Sequence, residues 1–131
     1  MKIIVVSGGF DPIHSGHIEY ISSAKTYGEK LIVALNSDNW LIKKKGKFFM
    51  PFSERKKILE NIKHVDEVID FDDDVQGTCI NALEKIKKSY PNDEISFANG
   101  GDRAKSNIPE TTVLGINFIY SVGGDEKKNS S

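Results

Sequence analysis

The sequence predicts an α/β fold, namely a Rossmann-like doubly wound parallel sheet of about five strands with helices on both faces. Short runs rich in Ile, Val and Phe alternate along the chain with helical patterns, an order typical of parallel sheets built from strand–helix–strand units. The first two runs are almost continuously apolar, as expected for strands covered on both faces. The 131 residues suffice for one such domain, residues 1–131, with its own core.

Each predicted strand is short and rich in β-branched or aromatic residues. The predicted strands are Lys2–Val6, Lys30–Leu35, Glu67–Phe71, Glu94–Ala98 and Gly115–Tyr120.

Three helices are predicted between the strands. Gly28 is a C-terminal stop for the first helix, Ser53 is an N-cap for the second, and Pro91 follows the third, which runs from about Thr78 to Ser89. The apolar residues expected on the inner faces, at helical spacing, are Ile18, Ile21 and Ala24 in the first helix, Ile58, Leu59 and Ile62 in the second, and Ile80, Leu83 and Ile86 in the third.

Composition narrows the function classes. The net charge is −1, so no global field attracts the chain to nucleic acid or to a membrane surface. No apolar run approaches the ~20 residues of a membrane span, and we expect a cytoplasmic protein. The single cysteine, Cys79, excludes an internal disulfide and is expected in the core.

Residues 37–52 are the longest stretch without a periodic pattern and are expected to form a functional loop, whereas the acidic residues 72–74 are expected to form a solvated turn.

The stretch "SGGFDPIHSGH", residues 7–17, contains two of the three histidines. It follows the first strand and enters the first helix, the place where doubly wound sheets bind ligands. Gly8 and Gly9 allow a ligand close to the backbone. The first turn of the helix, near Gly16 and His17, is expected to present unpaired N–H groups to an anion, and His14 lies one helical turn from His17. These features favour a phosphate site over two surface or capping histidines. A partial metal site has no third ligand nearby, and the absence of G-x-G-x-x-G disfavours a dinucleotide oxidoreductase.

The segment "GGFDPIHSGH" resembles the HxGH signature of the nucleotidyltransferase superfamily. The likeness continues in "AKTYGEKLIVALNSD", "KKKGK", "PFSERKKILENIKHVDEVIDF" and the "GGD" of residues 100–102. It covers residues 1–103 well, and the sequence is most similar to the heptose-phosphate adenylyltransferase and glycerol-3-phosphate cytidylyltransferase branches.

The resemblance implies transfer of a nucleoside monophosphate from ATP or CTP to a phosphorylated sugar or polyol, with release of pyrophosphate. Mg²⁺ is implied as the cofactor, held mainly by the phosphates, and a homodimer is implied. His14 and His17 would donate hydrogen bonds to the α- and β-phosphate oxygens. Lys44 best matches a phosphate-contacting lysine, with Lys43 and Lys45 as alternatives, and Arg55 matches an arginine that faces the substrate.

Two further groups of residues complete the expected site. The acceptor-binding group is Asp11, Asp38 and Lys63, although Asp11 also suits an Asx turn before proline. The nucleotide-binding group is Gly8, Gly9, Phe10, Gly16, Gly100, Gly101, Asp102, Ser130 and Ser131. The family's C-terminal helix is expected to be missing, so the alternative is a nucleotide-binding protein of the same fold with impaired catalysis.

Overall fold

The structure, a computed structural model, describes residues 1–74, 77–100 and 115–122. The strands are β1 Lys2–Gly8, β2 Lys30–Leu35, β3 Glu67–Ile69, β4 Glu94–Gly100 and β5 Ile116–Val122. The helices are α1 Ser15–Lys25, α2 Asp38–Lys45, α3 Phe52–Glu60 and α4 Ile80–Ser89.

The described strands form one parallel sheet in the order β3-β2-β1-β4-β5. The chain moves outward from β1 to β3 on one side and then crosses to β4 on the other side. The order therefore reverses between β1 and β4, and the crevice at their carboxyl ends is the usual ligand site of such sheets. The predicted α/β fold is confirmed.

The core lies on both faces of the sheet, and β1 shows why. Ile3 and Val5 pack on one face in a cluster that contains Leu83 of α4, whereas Ile4 and Val6 pack on the other face with Ile21 of α1. Successive side chains of a strand point to opposite faces, so a continuously apolar strand needs a cover on each side. Cys79 lies in the first cluster and is 3% exposed, as predicted.

Helix α2 occupies half of the stretch that was predicted to be a loop. Ser37 caps it, since its hydroxyl accepts from the backbone N–H of Trp40 at 3.0 Å, and Gly46 ends it in a left-handed conformation with φ 84°. Of the eight residues of α2, all of which the structure describes, Leu41 alone is buried. Because only one position of this helix is buried, its sequence shows no apolar periodicity. The two capping residues are the features of the sequence that indicate a helix here.

Two predicted core residues lie at the surface instead. Ile18 is 45% exposed and Ile58 is 37% exposed. Consecutive helical residues point about 100° apart, and in α3 the buried direction belongs to Leu59, which is fully buried. Helix α1 packs through Ile21 and Ala24, both fully buried. The N-cap of α3 is Pro51 rather than Ser53.

Among the described residues, no helix has both the length and the apolar character needed to cross a membrane.

Candidate functional site

The turn between β1 and α1 lies at the carboxyl edge of the sheet, beside the point where strand order reverses. His14 is the N-cap of α1 and His17 is its third residue. The Nδ1 atom of His14 accepts from the backbone N–H of Gly16 at 3.1 Å, and Nδ1 of His17 accepts from the backbone N–H of His14 at 3.2 Å. The two histidines thus form a reciprocal capping box.

This capping fixes the tautomer of both rings. A neutral imidazole carries its proton on one nitrogen, and a nitrogen that accepts a hydrogen bond is the unprotonated one. Both rings therefore carry the proton on Nε2. The rings are stacked, with centroids 3.9 Å apart and planes 26° apart.

The expected unpaired helix amides are not what the structure shows. The N–H of Gly16 donates to the His14 ring, and the N–H of His17 donates to the carbonyl oxygen of His14 at 3.0 Å. The His14 imidazole satisfies the first amide and the His14 carbonyl satisfies the second, so neither amide is left for an anion. Nε2 of His14 is buried and has no hydrogen-bond partner in the part of the chain that the structure describes.

His17 is uncharged at neutral pH. Burial, the neighbouring His14 and the positive charge of Lys45, in that order, lower the pKa of His17 from 6.5 to about 4. Phe10 contributes to this environment: its ring is 2% exposed and meets the His17 ring edge-on at 4.9 Å between centroids. Phe10 has a positive φ of 51°, which is uncommon for a residue with a side chain.

Asp11 connects the histidine turn to the segment before α3. Its carboxylate is fully buried and accepts from the backbone N–H groups of Phe49 at 2.6 Å and Met50 at 2.7 Å. Its backbone carbonyl accepts from the amine of Lys45 at 3.0 Å. The turn that bears the histidines and the segment that bears the lysines are therefore held against each other by one residue.

Arg55 lies beneath the turn and is fully buried. Its guanidinium donates to the carbonyl oxygens of Gly9 and Asn36, both at 2.8 Å, and to that of Met50 at 2.9 Å. It also donates to Asp38 at 2.7 Å. These acceptors belong to the end of β1, the end of β2, the segment before α3 and the start of α2, so Arg55 joins these four segments.

The family model described as cytidylyltransferase-like matches residues 5–117 of this chain. The chain belongs to this family.

Known relatives of this cytidylyltransferase-like protein include two curated proteins. The bifunctional protein HldE of Alcanivorax borkumensis is 32% identical over 128 residues, which cover 96% of this chain and 24% of HldE. The glycerol-3-phosphate cytidylyltransferase of Bacillus subtilis is 42% identical over 69 residues, which cover 53% of this chain and 54% of that enzyme. The matched part is thus about a quarter of the length of the first relative and about half of the second.

A solved structure has the same fold. The lipopolysaccharide core biosynthesis protein of Thermoplasma volcanium superposes with a TM-score of 0.70 at 20% identity, covering 98% of this chain and 99% of that protein.

The cytidylyltransferase-like architecture brings part of the predicted site together. His14, His17, Gly16, Asp11 and Phe10 all lie in the turn described above. Gly8 ends β1, and Gly9 fits closely beneath α2, where an added Cβ would lie 2.7 Å from a methyl carbon of Leu41. Gly100 ends β4, the strand that pairs with β1, at the same carboxyl edge. Gly101, Asp102, Ser130 and Ser131 lie outside the described residues.

The structure places two residues differently from their predicted roles. Arg55 was expected to face the substrate, but it is buried with its donors on protein acceptors. Asp11 was expected to contact the acceptor, but both of its carboxylate oxygens are engaged by backbone N–H groups. Both residues are fully buried, and their side chains bond to backbone groups of neighbouring segments.

Lys63 is not brought to the turn. Helix α3 begins at the carboxyl edge, where Arg55 meets Gly9, and the chain then runs to Asp66, whose N–H donates to Leu31 near the start of β2 at 3.0 Å. Lys63 is exposed in this connection and therefore lies toward the amino edge, opposite the histidines.

Two of the three consecutive lysines of α2, Lys44 and Lys45, contact different neighbours. The amine of Lys44 lies 4.6 Å from the centroid of the Trp40 ring, whereas the amine of Lys45 contacts the histidine turn.

Asn36, which sequence reasoning missed, contributes its carbonyl to Arg55. Every residue has a backbone carbonyl, so the residue type does not predict this contact. The polar residues at the end of β2 were the only indication of it.

No group of three or more His, Cys, Asp or Glu side chains suited to a metal ion occurs within residues 1–74, 77–100 and 115–122. Asp73 and Asp74, in the acidic stretch 72–74, each accept a hydrogen bond from a neighbouring segment instead. Asp73 accepts from the hydroxyl of Ser37 at 2.6 Å, and Asp74 accepts from the N–H of Thr78 at 2.8 Å.

Proposed function

We propose that this protein is a nucleotidyltransferase that transfers a nucleoside monophosphate from ATP or CTP to a phosphorylated sugar or polyol. One observation carries the proposal: two stacked imidazoles whose Nδ1 atoms are occupied by backbone N–H groups, so that both Nε2 atoms are donors. Membership of the cytidylyltransferase-like family supports it.

In the proposed step an oxygen of the acceptor's phosphate attacks the α-phosphorus of the triphosphate. A new bond forms between that oxygen and the α-phosphorus, the bond from the α-phosphorus to the bridging oxygen of the β-phosphate breaks, and pyrophosphate leaves with the electron pair. The attacking phosphate is already ionised at neutral pH, so no general base is needed. Catalysis then consists of positioning and of stabilising negative charge on the phosphates.

The geometry of the histidine turn suits this task. The buried Nε2–H of His14 has no partner among the described residues, and a buried donor without a partner is costly. A phosphate oxygen would satisfy it. His17 donates as a neutral imidazole because its pKa is lowered to about 4. Both donors are fixed by the capping box before the substrate arrives, so little reorganisation is needed during the reaction.

We propose Mg²⁺ as the cofactor, carried by the triphosphate. The carboxylates closest to the turn already have partners: Asp11 is held by two backbone N–H groups, and Asp38 accepts from Arg55. The described residues thus do not form a protein cage for the ion, and its ligands would be phosphate oxygens and water. When bound, Mg²⁺ would neutralise phosphate charge.

The relatives suggest which acceptor substrates to test first. One of them is a glycerol-3-phosphate cytidylyltransferase, and the sequence also resembles heptose-phosphate adenylyltransferases. The pairs CTP with glycerol-3-phosphate and ATP with heptose-1-phosphate are therefore the first to test.

The decisive experiment measures pyrophosphate release for four nucleoside triphosphates against glycerol-3-phosphate, heptose-1-phosphate, ribitol-5-phosphate and phosphoethanolamine. We expect one combination to release pyrophosphate. We also expect His14→Ala and His17→Ala to lower kcat on the order of 10²–10³-fold, the range for loss of one fixed donor to a developing charge.

The matched control is His64→Ala, which removes the third histidine, in the connection between α3 and β3. Its rate should equal that of the parent. Parental rates in both His14→Ala and His17→Ala would refute the mechanism. Triphosphate binding without pyrophosphate release in any combination would indicate a nucleotide-binding protein without turnover.

A further inference from the structure

We propose that Tyr20 is a positioning residue that fixes the end of β4 relative to the histidine turn, and that it thereby determines how the nucleoside of the triphosphate is held. This inference rests on the proposed function, because it concerns the same substrate. The contact that carries it is a hydrogen bond from the Tyr20 hydroxyl, on α1, to the backbone carbonyl of Ala98, near the end of β4.

The first argument is a split in the sheet at the point where strand order reverses. The last pair between β1 and β4 is Val5 with Phe97, although both strands, which the structure describes in full, continue to Gly8 and Gly100. On their other sides, β1 stays paired with β2 up to Gly8, and β4 stays paired with β5 up to Gly100. The two halves of the sheet therefore separate at the ends of β1 and β4, and this opening is the crevice in which such sheets bind ligands.

Tyr20 spans this opening from the side of α1. Its ring is half-buried and packs against the core cluster that contains Val6 of β1 and Ala98 of β4, which follow the last residues paired between these strands. Ala98 is fully buried, and a buried carbonyl that loses a hydrogen-bond donor costs free energy. The hydroxyl therefore links α1 to β4 where β1 is no longer paired with β4.

The second argument is that Tyr20 and the histidines belong to one helix. His17 lies three residues before Tyr20 in α1, so the two side chains are neighbours on the helix surface. The capping box fixes the histidines to the first turn of α1, and the Tyr20 hydroxyl joins the next turn to β4. A short segment of helix thus determines the distance between the phosphate donors and the end of β4.

The third argument is the backbone at the end of β4. From Ala98 to Gly100 this strand advances by two residues, whereas their partners on β5, Ile119 and Val122, are three residues apart. The extra residue is a bulge in β5, and bulges interrupt regular pairing and are frequent beside active sites. With the split on one side and the bulge on the other, the end of β4 has less regular pairing than the rest of the strand, so the bond from Tyr20 matters more there.

These contacts assign Tyr20 a role toward the nucleoside rather than toward the phosphates. If the phosphates lie at the histidine turn, the nucleoside occupies the crevice between the ends of β1 and β4. One wall of that crevice is the strand end that Tyr20 holds. Loss of the hydroxyl should therefore weaken the binding of a nucleotide and leave the binding of the phosphate chain alone unchanged.

The test compares a nucleotide with that phosphate chain. The affinities of ATP, CTP and tripolyphosphate are measured by calorimetry with Mg²⁺ and without acceptor, for the parent and for Tyr20→Phe, which removes only the hydroxyl. We expect the nucleotide that the parent binds to bind about 3- to 10-fold more weakly to the variant, the range for loss of one uncharged hydrogen bond. The affinity of tripolyphosphate should not change. The matched control is Tyr27→Phe, which removes the hydroxyl of an exposed tyrosine just after α1 and should leave all three affinities at the parental value.

A second readout distinguishes positioning from a general loss of structure. The His17 ring is titrated by NMR in the parent, where its pKa is about 4, and in Tyr20→Phe. We expect the same pKa in both, because the substitution leaves the capping box intact. General loosening of the fold would instead expose the ring, raise its pKa and weaken tripolyphosphate binding as well.

Three results would overturn the inference. They are equal weakening of nucleotide and tripolyphosphate in Tyr20→Phe, parental nucleotide affinity in that variant, and no binding of ATP or CTP by the parent. Failure of the proposed function is a separate result: nucleotide binding that depends on Tyr20, in a parent that releases no pyrophosphate with any acceptor, would support the inference and count against the nucleotidyltransferase activity.

Discussion

Each histidine of the turn uses its two ring nitrogens for different tasks. Nδ1 satisfies a backbone N–H of the first turn of α1, and this contact leaves Nε2 as a donor. The same bond that stabilises the helix end therefore determines the protonation pattern that the proposed reaction needs. Serine or aspartate would cap a helix equally well, but neither would present a second, opposite donor.

This division of tasks predicts that stability and activity separate at residue 14. Asparagine is a good N-cap and would accept from Gly16, but its short side chain cannot place a donor where Nε2 lies. We expect His14→Asn to unfold in urea with a free energy within about 0.5 kcal/mol of the parent, while His14→Ala loses about 1 kcal/mol.

Pyrophosphate release should fall about equally in both variants, which is the comparison that checks the idea. If His14→Asn retained the parental rate, the histidine would act as a cap alone.

At the scale of elements, buried polar groups join the segments that meet at the carboxyl edge. Arg55 donates to the ends of β1 and β2, to α2 and to the segment before α3. Backbone carbonyls at strand ends have no sheet partner, and burial without a donor would cost each of them free energy. One guanidinium satisfies two of them, together with the carbonyl of Met50 and the carboxylate of Asp38.

We therefore expect Arg55→Met to lower the free energy of unfolding by about 3–5 kcal/mol, since it leaves these acceptors buried without a donor. Urea denaturation monitored by circular dichroism measures this loss. Lys56→Met is the matched control on the next residue of α3, where a half-exposed lysine pairs with Glu60, and it should cost about 0.5 kcal/mol or less. A loss below about 1 kcal/mol in Arg55→Met would show that water replaces the guanidinium.

At the scale of the whole molecule, the doubly wound sheet places the histidine turn above a core that covers both faces of β1. The turn is partly buried by this packing, and burial is the largest cause of the lowered pKa of His17. Local burial at one ring therefore links the stability of the entire fold to pH.

The sign follows from proton binding. The unfolded chain binds a proton at His17 near pH 6.5, whereas the folded protein binds it near pH 4. Between these values the unfolded state holds more protons, so the free energy of unfolding should fall as the pH is lowered from 6.5 to 4. The slope from one group is at most about 1.4 kcal/mol per pH unit, and the partial exposure of His17 makes it smaller.

Urea denaturation at pH 7, 5.5 and 4.5 measures this dependence. His17→Gln retains the capping box, because glutamine at this position accepts from the N-cap N–H, and it should lose part of the dependence in this window. His64→Gln should retain all of it. An identical pH dependence in the parent and His17→Gln would contradict the placement of His17.

The sequence by itself determined the fold class and the position of the histidine turn within it. Continuous apolar strands require cover on both faces, and the segment "GGFDPIHSGH" follows β1, so a parallel sheet places it at the carboxyl edge, beside the point where strand order reverses. The caps Ser37 and Gly46 also encoded α2, although a helix with one buried residue showed no periodicity.

The tertiary structure alone decided which groups face the site. Burial of Arg55 and Asp11, the satisfaction of the helix amides by imidazole nitrogens, and the direction of each lysine on α2 depend on which segments meet across the sheet. Periodicity and motifs report neighbours along the chain, whereas a side chain's direction and burial are set by neighbours that are distant in sequence. Lys44 and Lys45 are therefore the same residue type at adjacent positions, yet their amines contact different neighbours in the folded protein.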